Sequence, residues 1–320
     1  VRGIHARRQG RDLVIDGYRL ARVDAQRSLE DACRDVLSLR LGNEAVAIAV
    51  ASPEAAIRQA EMPPMTPREI QEALPWEARR HIAGLDDDAV LDVQVLDRSE
   101  PGPMNVLIVA FPRRLYDDLA SLWTSLGIDP AFVDLAPLGV MNAARDEQSV
   151  APQAILDLGT GTGSFSISSP NGILLFRDLA PRVSRLDSLL GTAFSLNEEA
   201  VEALKRNGKL PSTPAPPKAA LEKAIGEVTG ELGEDLRAGV LYLENRTGGA
   251  IDRVLLTGTT AHFLERHGLT DAIASASGLA FERLNPFRRF RLGLVDEIGL
   301  KGNAFDLAAA AGVAARQLTS

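Results

Sequence analysis

The chain has 320 residues, 45% of them hydrophobic and 24% charged, with a formal net charge of −8. That is the composition of a globular protein long enough for two domains or one bilobed domain, and its acidic balance argues against nucleic acid as the main partner. A single cysteine, Cys33, excludes an internal disulfide and suits a reduced compartment. No apolar run approaches bilayer-spanning length and no signal peptide is legible, so direct membrane insertion is not expected. The chain opens on Val1 and not on a methionine, as a piece of a longer protein would.

The first residues alternate as strands do, from Val1 and Ile4 to Leu13, Val14, Ile15, Tyr18, Leu20 and Val23, with Asp16-Gly17 as a turn or bulge. Ser28 caps a helix running to about Leu41, closed by Gly42-Asn43. The apolar run Ala45–Ala51 reads as a buried strand. A smaller α/β unit follows: a short strand Ile57–Glu61, then Met62-Pro63-Pro64, then a helix capped by Thr66 and opened by Pro67 that runs toward His81. Pro75 should kink or restart that helix. Strands Val90–Leu96 and Met104–Phe111 complete the unit. Next come an amphipathic helix Leu115–Leu126 ended by Gly127, a short strand Ala131–Val133 before Asp134, and a helix Pro137–Arg145.

The second half opens on Ala154-Ile155-Leu156-Asp157-Leu158-Gly159-Thr160-Gly161-Thr162-Gly163, followed by Phe165, Ile167 and Ile173–Phe176 around Ser169-Pro170-Asn171-Gly172. Glycine lets a backbone approach a ligand closely and take positive φ. The pattern is similar to the first motif of S-adenosylmethionine methyltransferases and also to the second phosphate loop of actin-like ATPases. A methyltransferase loop leads into a helix. Here Pro-Asn-Gly between apolar runs marks a hairpin, so the segment reads as strand, glycine bend, strand, turn, strand. An ordinary hairpin with no ligand is the plain alternative.

Beyond it, residues 190–249 carry a helical pattern broken by the proline-rich 209–218, with a long helix over Lys218–Asn245 despite Gly226, Gly230 and Gly233. Arg253–Gly258 is a strand ending in a glycine turn, and Leu264–Ala276 and Ala304–Ala315 are helices. There is no Gly-x-x-x-x-Gly-Lys-Ser/Thr loop and no Gly-x-Ser-x-Gly elbow. His5, His81, His262 and His267 have no metal-ligand spacing. Asp86-Asp87-Asp88 reads as a solvated loop. No catalytic residue can be nominated.

The arrangement resembles the PilM family, actin-like proteins of type IV pilus assembly and kin to the division protein FtsA. The resemblance covers nearly the whole chain. It rests on Met62-Pro63 with Pro75-Trp76-Glu77-Ala78-Arg79-Arg80-His81-Ile82, and on Leu126-Gly127-Ile128 leading to Val133-Asp134. Ile155–Ile167 with Phe176-Arg177 forms the third match. The fourth is Val254–Thr259, Gly278-Leu279, Leu284-Asn285-Pro286-Phe287 and Ala308–Arg316. It implies an α/β, bilobed actin-like ATPase fold with a small FtsA-type α/β insertion in the first lobe. The first lobe is then 1–148, with the insertion at about 53–112, and the second is 149–320, with a mostly helical subdomain at about 190–249.

Function follows as an expectation from the same resemblance: a cytoplasmic scaffold docked on the short cytoplasmic tail of an inner-membrane, PilN-like protein, and so peripheral to the membrane through that partner. Assembly as a homo-oligomer is compatible with it. The cytoplasmic part of a type II secretion platform protein, and an actin-fold ATPase or small-molecule kinase, are the other readings. In such a fold Asp157 faces a hydrated Mg²⁺, Gly159, Thr160, Gly161 and Thr162 cradle phosphate, Glu202 and Lys205 contact the ribose, and Gly258 lies on the adenosine loop. Three departures predict that ATP with Mg²⁺ binds weakly or not at all. The family's first Asp-x-Gly loop is missing, with Val1-Arg2-Gly3-Ile4 falling just after its place; Ala180-Pro181-Arg182 stands where Gly-Gly is usual; and Gly258 is followed by Thr259. For the partner's apolar tail, Met62, Met65 and Trp76 are the candidate contacts, with burial in the insertion's own core as the alternative.

Overall fold

The computed structural model describes residues 1–24, 26–40, 42, 44–98, 102–145, 151–169, 172–208, 216–247, 250, 251 and 253–319. Asn43, the Pro170-Asn171 turn and most of the 209–218 loop lie outside the described residues.

Strands β1 (Arg2–Gln9) and β2 (Asp12–Leu20) form an antiparallel hairpin. Its turn falls at Gly10, and the pairing shifts at His5/Ala6, where Asp16 bulges out of register. Asp16-Gly17 is therefore a bulge and not the turn. Helix α1 (Leu29–Leu37) is capped by the Ser28 hydroxyl, which accepts from the Asp31 amide. Strand β3 (Val46–Val50) is half-buried along its length, less covered than its apolar run suggested.

The inserted unit comprises β4 (Ala56–Met62), α2 (Pro67–His81), β5 (Val90–Arg98) and β6 (Met104–Phe111), with antiparallel strand order β4-β6-β5. A complete capping box starts α2: Thr66 and Glu69 bond each other's backbone amides. The helix continues through Pro75 without restarting. Pro75 lies on the exposed face, so the carbonyl that loses its partner faces water, while Ile70, Leu74 and Ala78 hold the buried face.

Helix α3 (Arg113–Ser125), β7 (Pro130–Leu135) and α4 (Ala136–Ala144) return the chain to the first unit, where β7 pairs parallel with β3. Then come β8 (Gln153–Leu158), β9 (Gly163–Ser169), β10 (Gly172–Asp178), α5 (Ala180–Phe194), α6 (Glu198–Asn207), α7 (Lys218–Thr247), β11 (Arg253–Thr257), α8 (Thr259–Arg266), α9 (Thr270–Ser277) and β12 (Ala280–Arg283). A mixed five-stranded sheet of order β10-β9-β8-β11-β12 is the spine of this part. On β8, Leu156 and Leu158 join the core under α5 and α7, while Ile155 joins the core beneath the insertion.

Gly226, Gly230, Gly233 and Gly239 do not interrupt α7, because Leu221, Ile225, Val228, Leu232, Leu236, Val240 and Leu243 form one buried stripe at helical spacing. Each such side chain contributes about 1.5–3 kcal/mol, against roughly 1 kcal/mol lost per glycine. The single helix expected over Leu264–Ala276 is two, since Gly268, at φ +62°, ends α8 and Leu269 bonds back to Leu264.

The end of the chain returns to its beginning. Strand β13 (Phe290–Leu292) pairs parallel with β2, and after α10 (Glu297–Gly302) the last helix, α11 (Ala304–Thr319), packs across β1, β3 and α4. Gly139 and Gly312 meet where α4 and α11 cross; a Cβ on Gly312 would collide with the Gly139 carbonyl.

Candidate functional site

The glycine bend joins two antiparallel strands. β8 ends at Leu158, β9 starts at Gly163 pairing back on it, and no helix follows. The Gly159 amide donates to the Thr162 carbonyl at 2.8 Å, Gly161 takes φ +70°, and residues 159–162 are half-buried. The strand–helix geometry that a methyltransferase needs is thereby removed.

A second loop meets this bend. β11 runs parallel to β8 with Thr257 opposite Asp157, which brings Gly258 against the end of β8. Gly258 has φ +97°, and any Cβ there would strike the Leu158 carbonyl and the Asp157 carboxylate. The buried Thr260 hydroxyl donates to the Gly159 carbonyl at 2.5 Å. Thr259 bonds Asp306, which also receives Arg2 at 2.6 Å. Asp157, Gly159–Thr162 and Gly258 therefore converge, and they are joined by Arg2, Thr259, Thr260 and Asp306. The Thr-Thr pair directly after Gly258 could have been noticed in the sequence. Asp306 had no local signal, since only the fold carries it there.

Asp157 is 6% exposed. Burial pushes its pKa up to about 7, with the Arg2 guanidinium pulling the other way. A desolvated carboxylate beside a glycine bend is suited to a hydrated cation or to a proton. Among the described residues no cluster of three or more His, Cys, Asp or Glu would hold a metal directly.

The expected ribose pair is split. Lys205 is completely buried, and its Nζ donates to both Asp187 oxygens on α5 at 2.6 and 2.7 Å, while Glu202 stays exposed. Burial raises the Asp187 pKa against the pull of Lys205, and the Glu202 charge raises it further. The lysine is committed to an internal ion pair.

Of the three candidate partner contacts, one is at the surface. Met62 shares a face of β4 with Ala60 and is 1% exposed in the insertion's core, and Met65 packs on the same core. Trp76 is 71% exposed on the outer face of α2, with the Arg79 guanidinium 5.6 Å from its ring centre.

A family model described as type IV pilus assembly protein PilM matches residues 10–318. The chain belongs to the PilM family. Comparison with curated proteins returns no match. Among solved structures, a chain of the PilM-PilN type IV pilus biogenesis complex superposes with a TM-score of 0.76 at 18% identity, covering 99% of this chain and 98% of that one. A Bacteroides thetaiotaomicron protein with an actin-like ATPase fold and unknown function aligns at 11% identity and TM-score 0.44, over 98% and 95% of the two chains. The cytoplasmic domain of EpsL, an inner-membrane component of the Vibrio cholerae type II secretion system, aligns at 15% identity and TM-score 0.35, over 62% and 78%. The fold is the actin-like ATPase fold, with a small α/β insertion after β3. Among the described residues no helix is long and apolar enough to cross a membrane.

Proposed function

We propose that this PilM-family chain is a scaffold of type IV pilus assembly that captures the short cytoplasmic tail of an inner-membrane, PilN-like protein, and that it reaches the membrane through that partner. The observation that carries the reading is the family match over 10–318. The insertion is the proposed docking unit. Among the described residues its strand β5 pairs on one side only, with β6, and α2 presents Trp76 outward. An extended tail gains main-chain bonds at such an edge, and an exposed aromatic side chain anchors it.

Nucleotide is at most a weak ligand in this reading. The glycine bend and Asp157 fit phosphate and a hydrated Mg²⁺, and the fold is one that binds ATP. Against this, Lys205 is tied to Asp187, and the positive charge of Arg2, held by Asp306, already favours the Asp157 carboxylate and competes with a cation. Fluorescence anisotropy with a labelled PilN-like tail peptide tests the main claim. Saturable binding at micromolar concentration is expected, and none at high micromolar concentration with folded protein would sink it. Calorimetry with Mg-ATP tests the second, and sub-micromolar affinity would overturn it.

A further inference from the structure

The insertion does not sit on the second lobe through apolar contact alone. Two adjacent residues of β4 reach across to β10. The Gln59 side-chain amide donates to the Leu174 carbonyl at 3.2 Å and accepts from the Phe176 amide at 2.8 Å. Those are the two bonds a parallel strand residue would make, so Gln59 stands in for a neighbour at the outer edge of the five-stranded sheet. Beside it the Arg58 guanidinium donates to Asp178 Oδ2 at 2.6 Å.

Asp178 faces two ways. Its other oxygen, Oδ1, accepts from the Ala180 amide at 2.9 Å, in the first turn of α5. The next residue, Leu179, donates its amide to the Gly163 carbonyl at 2.8 Å, and Gly163 is where the glycine bend ends. A small void is lined by Ile57 of the insertion together with Thr162, Gly163 and Asp178. The Arg58–Asp178 pair itself lines a cavity of about 290 Å³, together with Ile82, Phe111 and Pro181 among others. The connection from insertion to glycine bend is thus two hydrogen-bonded steps long, with room on one flank for it to shift.

We infer that Arg58, Gln59 and Asp178 form a clasp through which the placement of the insertion sets the order of the glycine bend. Arg58 and Gln59 are positioning residues: neither touches the bend, and both act on it through Asp178 and β10. If the insertion docks a tail, which rests on the proposed function, then tail binding and any ligand of the bend change each other's affinity by the same factor. The clasp itself involves only this chain and stands independently of either ligand.

Residue-resolved hydrogen exchange on the full chain tests it. The Leu179 and Gly159 amides report the link to Gly163 and the closure of the bend. Arg58→Ala should speed exchange at both by about fivefold or more, as expected when a local tie is cut. Arg58→Lys, which keeps the charge, should restore most of the protection. Arg68→Ala breaks an exposed ion pair with Glu72 on α2 and should leave both amides at wild-type rates. Loosening by Arg58→Ala confined to residues 56–111, or equal loosening by Arg68→Ala, overturns the clasp. Should Arg58→Ala fail to fold, Gln59→Glu reads the same two amides, since it loses the donor to Leu174 and keeps the acceptor for Phe176. A tail peptide that fails to bind would count against the proposed function and leave the exchange result standing.

Discussion

At the scale of single residues, Asp157 is the most informative. Its folded pKa, about 7, lies above the ordinary carboxylate value of 3.8 because burial disfavours the charge. The stability it contributes is complete below pH 3.8 and is lost as pH rises to about 7. Asp157→Asn removes that loss. The variant should melt near the wild type at pH 4 and above it at pH 8, by an amount on the order of a few kcal/mol. Thermal melts at the two pH values check this, and an equal difference at both would refute it. Added Mg²⁺ should raise the wild-type melting temperature at pH 8 and not that of the variant if a cation is held there.

Lys205 behaves in the opposite way: it is a buried cation whose partner is already present. Lys205→Met strands Asp187 and should cost about 3 kcal/mol. The double change with Asp187→Leu should recover much of it, because a buried pair replaced by apolar groups is often near neutral. Denaturant melts of the single and double variants measure the difference.

At the scale of elements, Trp76 separates binding from folding. It is exposed on α2, so Trp76→Ala should change stability by no more than about 0.5 kcal/mol. The same variant should weaken a PilN-like tail peptide by about tenfold or more in anisotropy. Unchanged affinity would move the docking surface off α2.

The elements also show what the sequence disclosed. The hairpin over β8–β10 was legible because apolar runs flank a Pro-Asn-Gly turn, and α2 because Thr66 and Pro67 mark its start. β12 and β13 were not legible. Ala280–Arg283 and Phe290–Leu292 are too short to show a period, and they become strands because β11 and β2 offer them an edge. The same limit governs the site. The convergence of Asp157 with Gly159–Thr162 lies within one segment and could be read. Spacing put Glu202 and Lys205 on one helix face but could not say that the lysine turns inward to Asp187. For Met62 and Trp76, residue type suggested a surface, and only the pairing of β4 with β6 shows that Met62 lies inside.

At the scale of the molecule, the second unit's sheet and helices, β8 to β12, come from one unbroken stretch, and the core under α5 and α7 is drawn from that stretch alone, although Ile155 and Phe176 also pack against the first unit. The first unit is not continuous, since β13 and α11 complete it from the far end of the chain. A fragment of residues 151–283 should therefore fold alone with a cooperative thermal transition, whereas residues 1–145 should not. A broad, non-cooperative melt of the 151–283 fragment would contradict this.

The return of α11 also has a consequence in time. Helix α11 supplies Leu307, Ala308, Ala311 and Ala315 to the cores that also hold Leu13, Ile15, Val140 and Ala143. On a ribosome making roughly 5–20 residues per second, β1 and β2 emerge many seconds before the helix that covers them. The second unit can be finished while the first still waits with its apolar faces open. The half-made chain is thus most vulnerable to aggregation or proteolysis around β1 and β2, and that window closes only when α11 is released. A cell that makes this protein in quantity must shelter β1 and β2 until α11 arrives.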